Sequence, residues 1–431
     1  MTFFSIFELG SLLSGAATSS SFLIVGRAIA GIGAAGLMSG TLSIVAVVVS
    51  MRLRALYTGV LSAMFGVAMI SGPLLGGAFT QHVSWRWVFY INLPVGGVTI
   101  FALILMFHPP TRKIESDPLK EKLARLDLFG AAIFIPGVIM ILMALQWGGV
   151  TYPWNSPRII GLFVGGGILL VIFIVWQWRT KDMAMIPPAI FTQRSVFWAC
   201  LCAMFGMGSQ AMLGLWMPEW FQVIKGNTPV DSGIHMLPSM LAQTVSAIIS
   251  GVGITLLGYY NPFIIAGPAL MSIAQGLLAT LQVTSGSAEW IGFQVINGLG
   301  AGMFITGPMI AVQAVLSPAD TPVGLAIVTF FQMFSGALTA AISQTIFSSQ
   351  LLKELAKNVP DVNVGTLLAA GTAAIHTVVT PEQLPGILKS YNTALVTPFY
   401  LGASITAVSC LCALGLEWVN IKGKKIGPSA S

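Results

Sequence analysis

The chain has 431 residues, 55% hydrophobic and 8% charged, with a mean hydropathy of +0.87 and a net charge of +6. Soluble domains carry about 25% charged residues, which excludes an ordinary water-soluble fold. The positive balance is therefore read loop by loop as membrane topology, and nucleic acid is not implied as a partner.

A helix needs about 20 mostly apolar residues to cross a bilayer, and about twelve such stretches follow one another. The first four, near 2–18, 22–49, 57–79 and 87–107, make an N-terminal helical part, 1–107. A charged linker, 108–127, leads to a helix pair within 128–178, at 128–146 and 159–178, and a second linker spans 179–194. Helices near 195–217, 233–256, 262–283, 290–316 and 323–348, an external segment at 349–393 and a last helix near 395–417 make a six-helix half, 195–418. Within the external segment, residues 351–357 predict a short amphipathic helix. A basic tail, 419–431, carries Lys422, Lys424 and Lys425. The fold class is all-α integral membrane, a helical bundle.

Placing the N-terminus in the cytoplasm gathers Arg112, Lys113, Lys120, Lys122, Arg179 and Lys181 on the same side as the basic tail. Arg86, Arg158, Lys225, Lys353, Lys357 and Lys389 fall opposite. That bias predicts both ends inside the cell and an even number of crossings. Tryptophan and tyrosine gather at stretch ends, as in Trp85, Trp87 and Tyr90, and form interfacial belts.

Charges inside a bilayer are costly and usually functional. Glu8 in the first stretch and Arg27 in the second are such charges, and Arg27 is expected to face a central cavity, with Glu8 able to pair with it across the hairpin. Small-residue spacings, Gly36-x-x-x-Gly40 and Gly72-x-x-x-Gly76, suit close helix contacts. The run from Gly31 to Gly36, following Arg27, has a counterpart in Gly298-Leu299-Gly300-Ala301-Gly302, and related halves are a mark of many secondary transporters. Gly31, Gly36 and Gly40 are expected to serve helix packing. Gly72-Pro73 and Gly76-Gly77 lie within one apolar stretch, where lipid keeps the backbone helical despite proline. Gln210, Gln222, Gln294, Gln313, Gln332 and Gln344 are polar groups in or near later helices; Gln294 and Gln313 are expected to line the substrate cavity. The pairs Cys200/Cys202 and Cys410/Cys412 point to different helix faces and read as buried thiols, not a metal site. His82, His108, His235 and His376 are scattered, no nucleotide-binding glycine loop is present, and an enzyme is not expected.

Arg27-Ala28-Ile29-Ala30-Gly31-Ile32-Gly33-Ala34-Ala35-Gly36 resembles the fourth-helix motif of the major facilitator superfamily, and Gly72-Pro73-Leu74-Leu75-Gly76-Gly77 its antiporter motif. Trp85 to Gly97, Leu126-Asp127-Leu128-Phe129-Gly130, Leu145 to Gly149 and Pro218 with Phe221-Gln222 resemble its fungal fourteen-helix drug:proton antiporter branch. The resemblance covers almost the whole chain. It implies proton-coupled efflux of small amphipathic drugs, toxins or secondary metabolites, with Arg27 in proton coupling and Gly72, Pro73, Gly76 and Gly77 controlling bending and proton leak. The implied partners are a small-molecule substrate, protons and lipid. No cofactor is implied beyond the proton gradient, and the expected state is a monomer in the cell membrane, with vacuolar or vesicular membranes as alternatives. Ala30 stands where the family often has glutamine, and Ala68 where the antiporter motif often begins with glycine. Met1 falls at the start of the family's third helix, so its first two helices and the gating loop after them are not represented, and 128–178 is the inserted helix pair. A nutrient or siderophore facilitator on the same fold, and an inactive truncated relative, are the alternative readings.

Overall fold

Lipid cannot hydrogen-bond a backbone, so a chain this apolar must pair its own amides within helices. A computed structural model describes residues 2–49, 51–106, 127–149, 151–360 and 382–421, and they are helical almost throughout. The N-terminal part holds α1 (Thr2–Gly15), α2 (Ser20–Val48), α3 (Met51–His82), α4 (Trp87–Tyr90) and α5 (Asn92–Met106). The inserted pair is α6 (Leu128–Trp147) and α7 (Pro157–Thr180), followed by the short α8 (Pro188–Phe191). The C-terminal half holds α9 (Arg194–Ile224), α10 (Pro229–His235), α11 (Leu237–Leu257), α12 (Asn261–Leu278), α13 (Ser287–Phe304), α14 (Gly307–Val315), α15 (Thr321–Asn358) and α16 (Leu384–Leu414). Ten spans among the described residues are long and apolar enough to cross a membrane, with α4–α5, α10–α11 and α13–α14 each forming one of them. With α1, a shorter apolar helix, and the 32-residue α3, they coincide with the stretches expected from sequence. Linker residues 108–126, the tail lysines Lys422, Lys424 and Lys425, and residues 361–381 of the 349–393 segment lie outside the described residues.

Three boundaries differ from expectation. α9 runs on through Pro218 to Ile224. α15 continues to Asn358, so the helix expected at 351–357 is its last two turns. α16 begins at Leu384, eleven residues before the expected 395. The cause is a shared core: Phe347, Leu351 and Leu355, spaced one turn apart, are buried with Ile387 and Tyr391. That stripe keeps both helices packed beyond the apolar span.

The two halves meet where α3 packs on α10 and α11 and where α2 packs on α15. Inside each half, glycines set the crossings. An added Cβ on Gly10 would strike the Ala30 backbone of α2, and one on Gly300 of α13 would strike the Gly267 carbonyl of α12. The inserted helices pack on one another and reach the bundle through α6 against α15. There the Thr345 hydroxyl donates to the Leu145 carbonyl at 2.8 Å.

Asp127 holds the other end of the pair. It adopts a left-handed backbone (φ 38°) at the start of α6 and caps it by accepting from the Gly130 amide at 2.9 Å. The same carboxylate accepts from the Trp176 indole at 2.8 Å and the Gln177 amide at 2.7 Å, both on α7, and from the Met185 backbone at 3.0 Å. The Gln177 carbonyl in turn accepts from the Ile186 amide at 2.9 Å. One carboxylate thus ties α6, α7 and the following linker together. Burial alone would raise its pKa, but the bonds from Gln177, Trp176, Met185 and Gly130 outweigh that and hold it below the usual 3.8.

Two outcomes are expected. Gly10→Leu lowers the detergent unfolding temperature, by about 1–3 kcal/mol of overpacking, whereas Gly31→Leu, with open space around it among the described residues, leaves it within error. Asp127→Asn, which keeps the side-chain length and tolerates the left-handed backbone, costs about 1.5–3 kcal/mol by losing charged acceptors. Because the folded pKa is depressed, Asp127's contribution is complete above pH 3.8 and lost as pH falls through the lower folded value. Scans of thermal unfolding against pH should therefore show the difference between wild type and Asp127→Asn shrink below that point.

Candidate functional site

Two cavities lie between the halves. The central chamber, about 580 Å³, is bounded by α1, α2 and α3 on one side and by α9, α11, α14 and α15 on the other. Its wall is apolar and rich in methionine, with Met38, Met207, Met309 and Met333. A vestibule of about 510 Å³ lies towards the α9–α10 connection and is walled by Gly76, Gly77 and Thr80 of α3 against Pro218, Gln222 and Ser232. Gln210 and Gly214 line both cavities and form their junction. Pro218 has no amide hydrogen, so the Gly214 carbonyl loses its intrahelical donor at that junction.

The polar groups here are amides. Gln210 donates to the Gln243 carbonyl of α11 at 3.0 Å and accepts from Asn297 of α13 at 3.0 Å. Gln275 of α12 donates to Asn297 at 3.4 Å and to the Ser209 backbone carbonyl at 3.2 Å. This ladder joins α9, α11, α12 and α13 and fixes Gln210 and Gln243 at the wall. Across from it stands Gln332 of α15, 3% exposed, with an amide nitrogen that has no partner.

No charged side chain lines either chamber among the described residues. The sequence explains why: α2 has no charge between Arg27 and Arg52, α3 none after Arg54, and α11 none at all. A site built this way holds apolar surface and reads it with a few fixed hydrogen-bonding groups.

Arg27 lines neither chamber and is exposed, with its guanidinium 5.7 Å from the centre of the Phe89 ring. It stands on the helix face of Ala34 and Thr41, two chamber residues seven and fourteen positions on, and thus roughly 10 Å along the axis from the first. Glu8 does not pair with it. The half-buried Glu8 carboxylate turns to α5, pressed against Gly96, and its Oε2 is buried with no partner among the described residues. Its neighbour Phe7 lines the chamber.

Of the packing glycines, Gly36 is covered by the Phe3 ring, while Gly31 and Gly40 face open space among the described residues. In the α3 motif, Gly77 meets Val230 of α10, and Gly72 and Gly76 face open space among the described residues. The helix runs unbroken over Pro73, whose side chain lies outside the described residues. Gln294 and Gln313 correct the expectation, since neither lines the two chambers. Gln294 is spent on the His235 carbonyl at 3.0 Å, and Gln313 is buried in α14. Gln210, Gln332 and Gln243 take their place. Sequence reading passed over Gln243, Asn297 and Gln275, whose signal was an amide in the middle of an apolar span. It also passed over Glu219, half-buried in the last turns of α9, because that helix outruns its expected end.

A sequence profile described as the Major Facilitator Superfamily matches residues 1–340. The chain is 43% identical over 417 residues to "Efflux pump roqT" of Penicillium rubens, covering 97% of this chain and 77% of that one. It is 42% identical to "Efflux pump aflT" of Aspergillus parasiticus (97% and 82% covered) and 41% identical to "MFS-type efflux pump MFS1" of Trichophyton rubrum (99% and 80%). Among solved structures, an inward-facing, occupied bacterial homolog of the human lysosomal transporter Spinster aligns with a TM-score of 0.51 at 14% identity, over 96% of this chain and 81% of that one, and shares the fold. Two helical halves closing on an uncharged chamber, matched along this length, place the chain in the Major Facilitator Superfamily, as a membrane transporter and not an enzyme.

Proposed function

We propose that this chain exports small amphipathic molecules across a cell membrane in exchange for protons. The central chamber is the observation that carries this reading. It lies between the halves, is apolar, carries no charge among the described residues, and offers Gln332, whose amide nitrogen has no partner among the described residues, and Gln243, which Gln210 holds in place, as hydrogen-bonding groups. Those features suit a mostly apolar substrate with a few polar atoms and give a polyanion no counter-charge. Relatives named as efflux pumps support the direction of transport.

Glu8 carries the proton in this reading. An unpartnered carboxylate oxygen buried at this depth is costly and calls for a functional reason. Glu8 is one residue along α1 from the chamber wall, so a change in its charge is felt where α1 meets the substrate. Arg27 supports it from the chamber-facing stripe of α2. Both termini lie in the cytoplasm, with Arg179, Lys181 and Arg194 on the inner side, and the transporter works as a monomer because the chamber is formed within one chain.

The test is transport in reconstituted vesicles under an imposed pH gradient, with the neutral fluorophore Nile red as the probe. Wild type should accumulate the probe against its gradient. Glu8→Gln should abolish accumulation while leaving binding, read by fluorescence, unchanged; full gradient-driven accumulation by Glu8→Gln overturns its role, and the same result for Arg27→Ala removes Arg27 from the coupling path. Gln332→Ala should weaken binding about 5- to 20-fold, the equivalent of one buried hydrogen bond of about 1–2 kcal/mol.

A further inference from the structure

A third cavity, of about 370 Å³, lies away from both chambers, between the inserted pair and the bundle. Phenylalanines dominate its wall: Phe134 of α6, Phe173 of α7, Phe191 of α8, and Phe330, Phe331 and Phe334 of α15. Phe134 stands 4.6 Å from Phe173 and 5.3 Å from Phe330, and Phe191 stacks on Phe331 at 5.8 Å with their planes 9° apart. The gap separates two attachments of the pair, Thr345 to Leu145 at one end and the Asp127 knot at the other.

The polar side chains on the wall are Gln177, Thr192 and, at the exposed mouth, Trp178, and inside the slot both Gln177 and Thr192 are already used. Gln177 bonds Asp127 and the Ile186 amide, and the Thr192 hydroxyl donates to the Pro188 carbonyl at 2.7 Å. An occupant inside the slot is therefore hydrocarbon, for nothing there would reward a polar group. An empty slot would forfeit the dispersion contacts of its aromatic lining.

The charge at one end narrows the choice. The α7 stripe on the wall, Leu170, Phe173, Ile174, Gln177 and Trp178, leads one turn on to Lys181 at the end of the helix. Lys181 is exposed there, and no ion pair holds it among the described residues; Arg179, two residues from Gln177, stands on the opposite face of α7. Trp178, 61% exposed, stands beside the slot as an interfacial anchor. A basic group at the mouth of a slot between membrane helices is suited to a lipid head group.

The geometry points to a phospholipid site: one acyl chain fills the phenylalanine slot, and the phosphate is held by Lys181 at its mouth. The lipid acts as a filler that joins the inserted pair to α15. The site is independent of the proposed substrate chamber, and so is its test.

The full chain is purified in mild detergent, depleted of loosely held lipid and examined by native mass spectrometry. One phospholipid is expected to stay with the wild type. Val138→Trp, which fills the slot from α6, should lose it, and Lys181→Glu should reduce the retained fraction severalfold. Retention unchanged in both variants, or no lipid on the wild type, overturns the proposal, as does a sterol or Nile red in the lipid's place. Should the variants fail to fold, wild type is irradiated in vesicles of phosphatidylcholine and phosphatidylglycerol whose acyl chains carry a diazirine. Label concentrated on Phe134 and on residues 330–334 supports the site; label spread evenly over the lipid-exposed face at Val164, Ile168 and Val171 overturns it.

Discussion

Hydrocarbon offers a backbone no partners, so each amide and carbonyl in the bilayer must be satisfied from within the chain. This constraint accounts for the unbroken helices and for the way prolines are used. Pro136, Pro218, Pro268 and Pro398 all lie inside helices that continue past them. Each removes one donor and frees one carbonyl. At Pro218 the freed carbonyl is that of Gly214, where vestibule and chamber join. A second interruption, at Ile305 and Thr306 before Gly307-Pro308, places Ile305 and Met309 on the chamber wall. At these two places, where the helix rule is relaxed, the chain lines a cavity, and that is where irregular backbone is tolerable in a membrane protein.

Charge obeys the same rule and separates two kinds of acid. Asp127, at a helix start, has every bond a carboxylate could ask for, and its role is architectural. Lys225 is similarly provided for, donating to the Val283 and Ser285 carbonyls at 2.8 Å and lying over the Trp220 ring. Glu8 has a buried oxygen with no partner. A fold that satisfies its structural charges this fully makes an unsatisfied one informative.

The sequence made the crossings legible because hydropathy and length determine them, and it made Arg27 and Glu8 legible because charge in an apolar run is rare. It did not show which glutamines face the chamber. In a soluble helix the apolar stripe marks the inner face, but a membrane helix is apolar on every face, and its rotation is set by neighbours. Gln294 and Gln313 therefore looked no different from Gln210 and Gln332. The same limit hid the rotation of Glu8 away from Arg27, which depends on Gly96 of a third helix leaving room for the carboxylate. The ends of α9, α15 and α16 were missed for a different reason: beyond the apolar span they are held by buried stripes such as Phe347, Leu351 and Leu355, whose partners come from distant sequence.

The glycines of α3 show how packing leaves space for movement. A helix pair locked by small residues would have each of them in contact. Here, among the described residues, Gly77 alone of Gly72, Gly76 and Gly77 meets a neighbour, at Val230, while Gly76 and Thr80 border an open vestibule. The α3 surface beside that contact is therefore bare but unoccupied. Because it carries no Cβ at Gly72 or Gly76, backbone from the opposite half could approach there without displacing side chains. A rigid rotation of one half against the other could thus close the vestibule over the Gln210–Gly214 junction without repacking either core, since the tight crossings at Gly10 and Gly300 lie within the halves and would move as units.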